Sequence, residues 1–227
     1  QWRTDFIRTY LERDIPQFGL DVAVEQMGRF WRLLATNQGE LLVSQNYAKS
    51  LGTNQATIDR YARILGALLL VRRLEPWSSN LGKRLVKTPK YYVRDSGLLH
   101  ALLGIRTSAE LAAHQLQGKS WEGFVIEALV CAVGERATPY FYRTLDKAEV
   151  DLVLEFSRGR IWTIEIKLSD TPRVERGFHS ASDDLGAERR IVVYRGDEYQ
   201  ELQHDVEAMP LMRALSEVSE AVGRSRQ

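Results

Sequence analysis

The sequence predicts an α/β protein (α+β overall), with helices in the first half and a mixed β-sheet in the second half. Two observations predict this division. Apolar residues recur at helical spacing in residues 2–15 and 21–36. Residues 150–156 and 161–168, by contrast, are short runs of aliphatic, β-branched and aromatic residues, which is the composition of strands. The length of 227 residues allows one large domain or two smaller ones.

Composition and charge restrict the function only weakly. The net charge of +1 neither requires nor excludes a polyanionic partner, so any contact with nucleic acid must rest on local charge. The single cysteine, Cys131, excludes an internal disulfide and a cysteine-rich zinc site, and we expect it to be buried by packing. We expect a cytoplasmic protein without a membrane partner, because no run approaches the ~18 apolar residues of a membrane span and no signal peptide is present. Since the first residues already follow a helical pattern, we expect the sequence to be part of a longer protein.

The predicted domain organisation has four ranges: a helical segment (1–37), a small domain (38–105), a connector (106–119) and a second globular domain (120–227). The first helix is expected to end near Pro16, because proline lacks the backbone N–H that another helical turn needs.

The small domain has the pattern of a winged helix. Two short helices, residues 42–51 and 55–65, are joined by a turn that contains Gly52, which is typical of a helix-turn-helix. A strand from Leu68 to Leu74 and a second from Arg84 to Val93 would add the two-stranded wing.

Basic residues are concentrated in the same domain. Between positions 60 and 94 the only acid is Glu75, and the basic residues are Arg60, Arg63, Arg72, Arg73, Lys83, Arg84, Lys87, Lys90 and Arg94. DNA contacts are predicted for Arg60 and Arg63 on the second helix and for Lys83, Arg84 and Lys87 in the wing. A structural alternative remains open, in which these side chains pack against other domains of the same protein.

The two strands of the second domain are predicted to pair as a hairpin, because only residues 157–160 separate them. Side chains alternate along a strand, so Glu165 and Lys167 share one face, with α-carbons about 7 Å apart.

Asp151 joins that pair only if it lies opposite Glu165, in the register that pairs Val153 with Thr163. This register requires an odd-numbered loop, or a bulge that Gly159 could support. A shift by one residue would turn Asp151 to the other face of the sheet.

These residue types suit a metal site. Two carboxylates a few ångströms apart repel each other unless a hard cation such as Mg²⁺ or Mn²⁺ lies between them. Such a cation polarises a phosphodiester, and a neighbouring lysine orients the water or stabilises developing charge. Helical spacing over residues 121–133 places Glu122 at the edge of an apolar face and Glu127 on the least apolar side, so Glu122 is the third candidate. The structural alternative is a solvated strand face, on which an acid and a lysine are common neighbours.

Glu122 on a helix, Asp151 on a strand and Glu165-Ile166-Lys167 on the next strand resemble the PD-(D/E)XK nuclease superfamily. The resemblance implies a restriction-endonuclease-like α/β domain around a central mixed sheet. It also implies that Asp151 and Glu165 bind Mg²⁺ or Mn²⁺, that Glu122 supports them and that Lys167 assists catalysis. The sequence departs from the pattern at Val150, where the superfamily has proline.

Further segments resemble the C-terminal region, a domain of unknown function, of a bacterial and archaeal AAA-type ATPase family. They are Tyr10–Ile15, Asn80–Arg84, Tyr92–Leu99, Trp121–Val125 and Glu149–Asp151. The resemblance implies that an ATPase module precedes this region and is its partner in the full-length protein.

The chain itself is not expected to bind or hydrolyse ATP. Gly118-Lys119-Ser120 imitates the end of a Walker A motif, but Ala113 stands where the motif needs its first glycine. We interpret Ser120 as a helix cap instead.

Two functions therefore remain open. One is a metal-dependent nuclease joined to a DNA-binding winged helix in an ATPase. The other is a catalytically inactive nuclease-fold module that binds DNA or a protein partner and regulates the ATPase. A third interpretation is homo-oligomerisation through the aromatic first helix. The histidines, His100, His114, His179 and His204, show no metal-ligand spacing in the sequence.

Overall fold

The chain folds into two units, which a computed structural model describes over residues 2–17, 23–78, 85–146 and 148–223. The first unit comprises Gln1–Arg73 and Lys90–Gly123, and the second comprises Leu74–Pro89 and Phe124–Gln227. The units are therefore discontinuous in sequence, and the four predicted ranges and their functional assignment stay predictions.

The first helix continues past its predicted end at Pro16. Three helical segments follow each other without a break: α1 (Trp2–Thr9), a π-helical turn (Tyr10–Asp14) and α2 (Ile15–Gln17). In the π-helical turn the N–H of Ile15 donates to the carbonyl of Tyr10, five residues back. This wider turn accommodates the proline ring, which would collide with a carbonyl in a regular α-helical turn.

The other elements that lie wholly in the described part of the first unit are α3 (Val24–Thr36), α4 (Ser44–Leu51), α5 (Gln55–Ala67), β2 (Lys90–Val93), α6 (Ser96–Leu102) and α7 (Ser108–Ala112). The predicted turn between α4 and α5 is confirmed. Gly52 ends α4 with a left-handed φ of 62°, and the side chain of Asn54 accepts the N–H of Thr57 to cap α5. The core of this unit includes Phe30, Trp31, Ile58, Leu65 and Leu99.

The predicted second wing strand is wrong in its length, since only Lys90–Val93 forms a strand within it. Residues just before it pair elsewhere: Leu85 forms an antiparallel bridge with Thr144, and the N–H of Val86 donates to the carbonyl of Arg143. These hydrogen bonds, all within the second unit, satisfy backbone groups that a wing strand would have used. The predicted DNA-contacting residues Lys83 and Arg84 lie outside the described residues.

The remaining strands are β1 (Val71–Pro76), β3 (Ala137–Arg143), β4 (Glu149–Phe156), β5 (Ile161–Lys167), β6 (Arg189–Tyr194), β7 (Gln200–Leu202) and β8 (Val206–Pro210). The strand order of the sheet is β2-β1-β3-β4-β5-β6-β8-β7. The strands from β3 to β5 are antiparallel, whereas β5, β6 and β8 are parallel to one another. The predicted α/β class with a mixed sheet is confirmed.

Three helices complete the described structure: α8 (Gln117–Val133), α9 (Arg176–Asp184) and α10 (Leu211–Gly223). Helix α8 begins earlier than predicted, so Ser120 is not its cap but lies inside it and contacts His100, with 2.8 Å between Oγ and Nε2. Cys131 is exposed rather than buried, which corrects the expectation from its apolar neighbours. No helix among the described residues is long and apolar enough to cross a membrane.

Candidate functional site

The loop between β4 and β5 has the odd length that the site requires. The N–H of Phe156 donates to the carbonyl of Arg160 over 2.8 Å, which leaves the three residues Ser157–Gly159 as the loop. Arg158 and Gly159 both adopt left-handed backbone conformations, with φ of 63° and 70°. The loop therefore turns the chain without shifting the alternation of the two strands.

The register of the hairpin is the predicted one. Val153 pairs with Thr163, and the flanking pairs are Leu152 with Ile164, Leu154 with Trp162 and Glu155 with Ile161. One further step along the same register places Asp151 opposite Glu165. Each of these two acids is only 9% exposed, so both carboxylates lie in a largely dehydrated environment.

Hydrogen bonds and an ion pair hold the predicted site residues together. The backbone N–H of Ile166 donates to Oδ2 of Asp151 over 3.0 Å. Nζ of Lys167 lies 2.7 Å from Oε1 of Glu165, as expected for residues two apart on one face of a strand. The structure thus brings Asp151, Glu165 and Lys167 into one cluster, while their chemical roles stay predictions.

The electrostatics of this cluster keep Lys167 charged. Burial lowers the pKa of the Lys167 ammonium, but the carboxylates of Glu165, Asp151 and Glu175 raise it more, so the net shift is upward. A lysine with a raised pKa is protonated at neutral pH. It can therefore stabilise negative charge but cannot accept a proton from water.

Helix α9 packs against the face of the sheet that carries this cluster. The hydroxyls of Thr163 and Ser182 lie 2.9 Å apart, and Phe178 and Ala181 pack into the same buried cluster as Val153. The exposed Glu175 stands at the N-cap of α9, from which its charge reaches Lys167. Sequence reasoning missed Glu175, although an acid at the start of a helix directly after β5 was a usable signal.

The donor set of the cluster fits a hard divalent cation. Two carboxylate groups lie on one face of the sheet, and magnesium takes oxygen ligands and keeps several waters. Among the described residues, no group of three or more His, Cys, Asp or Glu side chains could hold a metal ion. Asp151 and Glu165 would therefore supply two protein ligands, and water would supply the rest.

Glu122 is buried, as helical spacing predicted, and lies in the first unit. Its Oε1 accepts the Tyr92 hydroxyl over 2.7 Å and lies 4.0 Å from Nζ of Lys90, and its Oε2 lies 2.7 Å from Nζ of Lys119. The role of Glu122 as a residue that supports the Asp151 site stays a prediction. Glu127, expected on the surface, is half-buried and accepts the Cys131 thiol.

Sequence reasoning missed the partners of Glu122. Lys119 lies three residues before it on α8, one turn away, but a helix predicted to start later hides this spacing. Lys90 and Tyr92 lie two residues apart on β2, whereas from the sequence Lys90 was counted only among the basic residues of positions 60–94. Lys90 is only 1% exposed, so its side chain cannot contact DNA from the surface of a wing.

The predicted DNA-contacting residues in the described part of the chain are accessible. Arg60 and Arg63 are exposed on α5, opposite the buried side that carries Ile58 and Leu65. Lys87 is exposed as well. Because these three side chains are exposed, they can reach phosphate groups. DNA binding itself stays a prediction.

Two domains of unknown function are recognised along the chain. Residues 1–109 match the domain of unknown function DUF8612, and residues 117–214 match the domain of unknown function DUF4143. DUF4143 occurs in AAA-ATPase-associated proteins.

Two curated relatives are similar over most of the chain: an uncharacterized protein of Mycobacterium bovis and an uncharacterized protein of Mycobacterium tuberculosis. Each is 41% identical over 215 residues, which is 95% of this chain and 48% of the relative. The chain thus spans about half the length of the curated relatives it matches. No solved structure matches the chain.

Proposed function

We propose that the second unit is a divalent-metal-dependent phosphodiesterase of the nuclease type, within a longer ATPase-associated protein. The observation that carries the proposal is the β4–β5 register, which sets Asp151 opposite Glu165 and leaves Lys167 on the same face. Two carboxylates and a charged lysine on one face are the groups that metal-assisted phosphodiester cleavage requires.

Asp151 and Glu165 would hold Mg²⁺ or Mn²⁺, which supplies a Lewis acid for the phosphate and lowers the pKa of a bound water. Glu165 would exchange its ion pair with Lys167 for the cation. The released Lys167 ammonium would then stabilise negative charge that develops on the phosphate. A lysine ammonium with its ordinary pKa is protonated at neutral pH, so Lys167 would act there as a positive charge.

The proposed support by the first unit is twofold. Glu122 would assist the metal site, as the resemblance to the PD-(D/E)XK superfamily implies. The exposed Arg60, Arg63 and Lys87 would contact the phosphates of DNA, together with Lys83 and Arg84 of the loop outside the described residues. The ATPase module would belong to the part of the protein that precedes this region.

The experiment is a cleavage assay with supercoiled plasmid and with single- and double-stranded oligonucleotides in Mg²⁺ or Mn²⁺. The wild-type chain is expected to cut at least one substrate, and Asp151→Ala to lower the rate about 100-fold or more, which corresponds to about 2.7 kcal/mol of transition-state stabilisation. Glu155→Ala is the matched control, because Glu155 lies on the same strand and the same face. Equal inactivity of wild type and Asp151→Ala with every substrate would end the enzyme hypothesis.

A second candidate function is a catalytically inactive module that binds DNA or a protein partner and regulates the ATPase. The observation that favours it is the ion pair, since Lys167 already neutralises Glu165 without any cation. If the module binds DNA, affinity should fall with added salt, and each lost phosphate contact should reduce the log–log salt slope by about 0.9. Arg60→Ala and Arg63→Ala should show that reduction, whereas Arg29→Ala on the exposed side of α3 should not. Equal DNA affinity and slope in all variants would contradict the DNA version.

A further inference from the structure

Two histidines that lie far apart in the sequence meet on the second unit. His179 belongs to α9, and His204 belongs to the turn between β7 and β8. Their ring centroids are 4.9 Å apart, and the ring planes are inclined by 65°. The linear sequence gave no sign of this pair, because 25 positions separate the two residues.

The separation of the rings suits two imidazoles on one metal ion. An imidazole nitrogen lies about 1 Å from its own ring centre and about 2.0–2.1 Å from the zinc ion that it ligates. Two imidazoles on one tetrahedral zinc ion therefore have ring centres roughly 5 Å apart. The observed separation of the ring centres, in an edge-to-face arrangement, agrees with that value.

His179 has a ring nitrogen that the fold leaves without a partner. Its Nδ1 is buried and makes no hydrogen bond among the described residues. A buried polar atom in this state is costly unless a ligand or a water satisfies it.

The backbone of His204 and Asp205 is left-handed, with φ of 61° and 54°, a region in which histidine and aspartate are more common than most other residues except glycine. The pairing of Leu202 with Val206 closes this three-residue turn. The turn therefore presents the His204 ring toward α9 from a fixed position, which lowers the entropy lost when a ligand binds both rings.

The charges around the pair are nearly balanced. Asp183 lies one turn after His179 on α9, and its Oδ1 is 2.7 Å from Nη2 of Arg190. This ion pair occupies Asp183 and offsets the positive charge of Arg190, which would otherwise repel a cation. The histidines are therefore the protein ligands available at this position, consistent with the absence of any three-ligand group among the described residues.

We propose that His179 and His204 form a two-histidine site for a borderline divalent transition metal such as Zn²⁺, Ni²⁺ or Cu²⁺, with water in the remaining positions. Imidazole nitrogen suits these ions, whereas Mg²⁺ prefers oxygen ligands. The site consists of residues other than Asp151 and Glu165, and its imidazole ligands suit a different class of metal. It is therefore independent of the proposed phosphodiesterase activity.

The test is isothermal titration calorimetry of the chain with Zn²⁺ and Ni²⁺, with Mg²⁺ as the comparison cation. His204→Asn removes the imidazole while asparagine tolerates the left-handed backbone, and His179→Gln removes the second ring. His114→Asn is the matched control, since it removes a histidine from the first unit, and Asp151→Asn separates this site from the carboxylate cluster. Thermal unfolding by circular dichroism verifies that each variant is folded.

We expect one equivalent of Zn²⁺ to bind at the histidines of the wild type, recognised by its persistence in Asp151→Asn, and His204→Asn and His179→Gln each to weaken that binding about tenfold or more. His114→Asn and Asp151→Asn should leave the affinity within about twofold of wild type. Cu²⁺ bound to the wild type should show electron-spin-resonance hyperfine coupling to two nitrogens. Absence of Zn²⁺ binding, or binding that survives both histidine substitutions, would overturn the proposal. Loss of binding in Asp151→Asn but not in His204→Asn would place the ion at the carboxylates and overturn it as well.

Discussion

Each unit buries carboxylates beside lysine, and the two arrangements differ in the partners of those carboxylates. In the first unit one carboxylate, Glu122, faces the ammonium groups of Lys119 and Lys90 and the hydroxyl of Tyr92. In the second unit two carboxylates lie on one face: Glu165 pairs with the ammonium of Lys167, and Asp151 accepts the backbone N–H of Ile166. Burial of an acid alone therefore does not identify a cation site.

The difference in binding partners indicates which of the two clusters is better suited to a metal ion. Within its unit, Glu122 has hydrogen-bond or charge partners for both oxygens, which accounts for its burial. For the two carboxylates on β4 and β5, which lie in a dehydrated setting, we propose a divalent cation as a further partner. The first cluster should act mainly in stability and the second mainly in binding.

The largest expected effect comes from removing the carboxylate in the first unit. Glu122→Ala should lower the free energy of unfolding by about 3 kcal/mol, because two lysine ammonium groups and a buried hydroxyl lose their acceptor. Glu165→Ala should cost about 1 kcal/mol or less, because it also relieves repulsion with Asp151. Urea unfolding followed by circular dichroism measures both. A Glu165→Ala variant less stable than Glu122→Ala would reverse the comparison.

A smaller effect is expected from two glycines, one packed against Tyr92 of the first cluster and one in the β4–β5 loop. A Cβ at Gly39 would lie 2.8 Å from Cε1 of Tyr92, and φ there is +75°, so Gly39→Ala should cost about 2–3 kcal/mol. Gly159 in the β4–β5 loop has φ of +70° but open space around its Cβ position, so Gly159→Ala should cost about 1 kcal/mol. Thermal unfolding of both variants measures these costs. An equal loss of stability in the two variants would contradict the close packing of Gly39 against Tyr92.

An effect that depends on pH should come from the lysine of the second cluster. Lys167→Met should lower the free energy of unfolding by about 1–2 kcal/mol at pH 7, with the exposed Lys49→Met as control. The pKa of Lys167 is raised in the folded state, so its contribution is fully present below its unfolded pKa of about 10.4. It is lost as the pH rises through the folded pKa, and the difference between wild type and variant should shrink above about pH 10.5. A difference that grows with alkaline pH would contradict the sign of the shift.

The geometry of the β4–β5 hairpin could be predicted from the sequence because its determinants are local. Alternation along two adjacent strands fixed which residues share a face, and the need for an odd loop followed from that parity. The three-residue loop Ser157–Gly159 has the required odd length, and Val153 pairs with Thr163 as expected. The burial of Glu122 likewise followed from helical spacing alone.

What could not be predicted depends on partners distant in sequence. The loop residues Leu85 and Val86 bond to β3, more than fifty positions later, which shortens the expected wing strand. Local hydropathy likewise suggested a buried Cys131, but burial depends on which neighbouring element covers that side of α8. The meeting of His179 with His204 required the fold of the β7–β8 turn, for which the sequence carries no periodic signal.

The central claim is that Asp151 and Glu165 hold a divalent cation, and a Mn²⁺ titration followed by electron spin resonance tests it most directly. The wild-type chain should bind one Mn²⁺ ion at these carboxylates, and Asp151→Asn and Glu165→Gln should each weaken binding about tenfold or more. Glu155→Gln, on the same face of β4, should leave the affinity unchanged. The claim is contradicted if the wild type binds no Mn²⁺, or if all four proteins bind it equally.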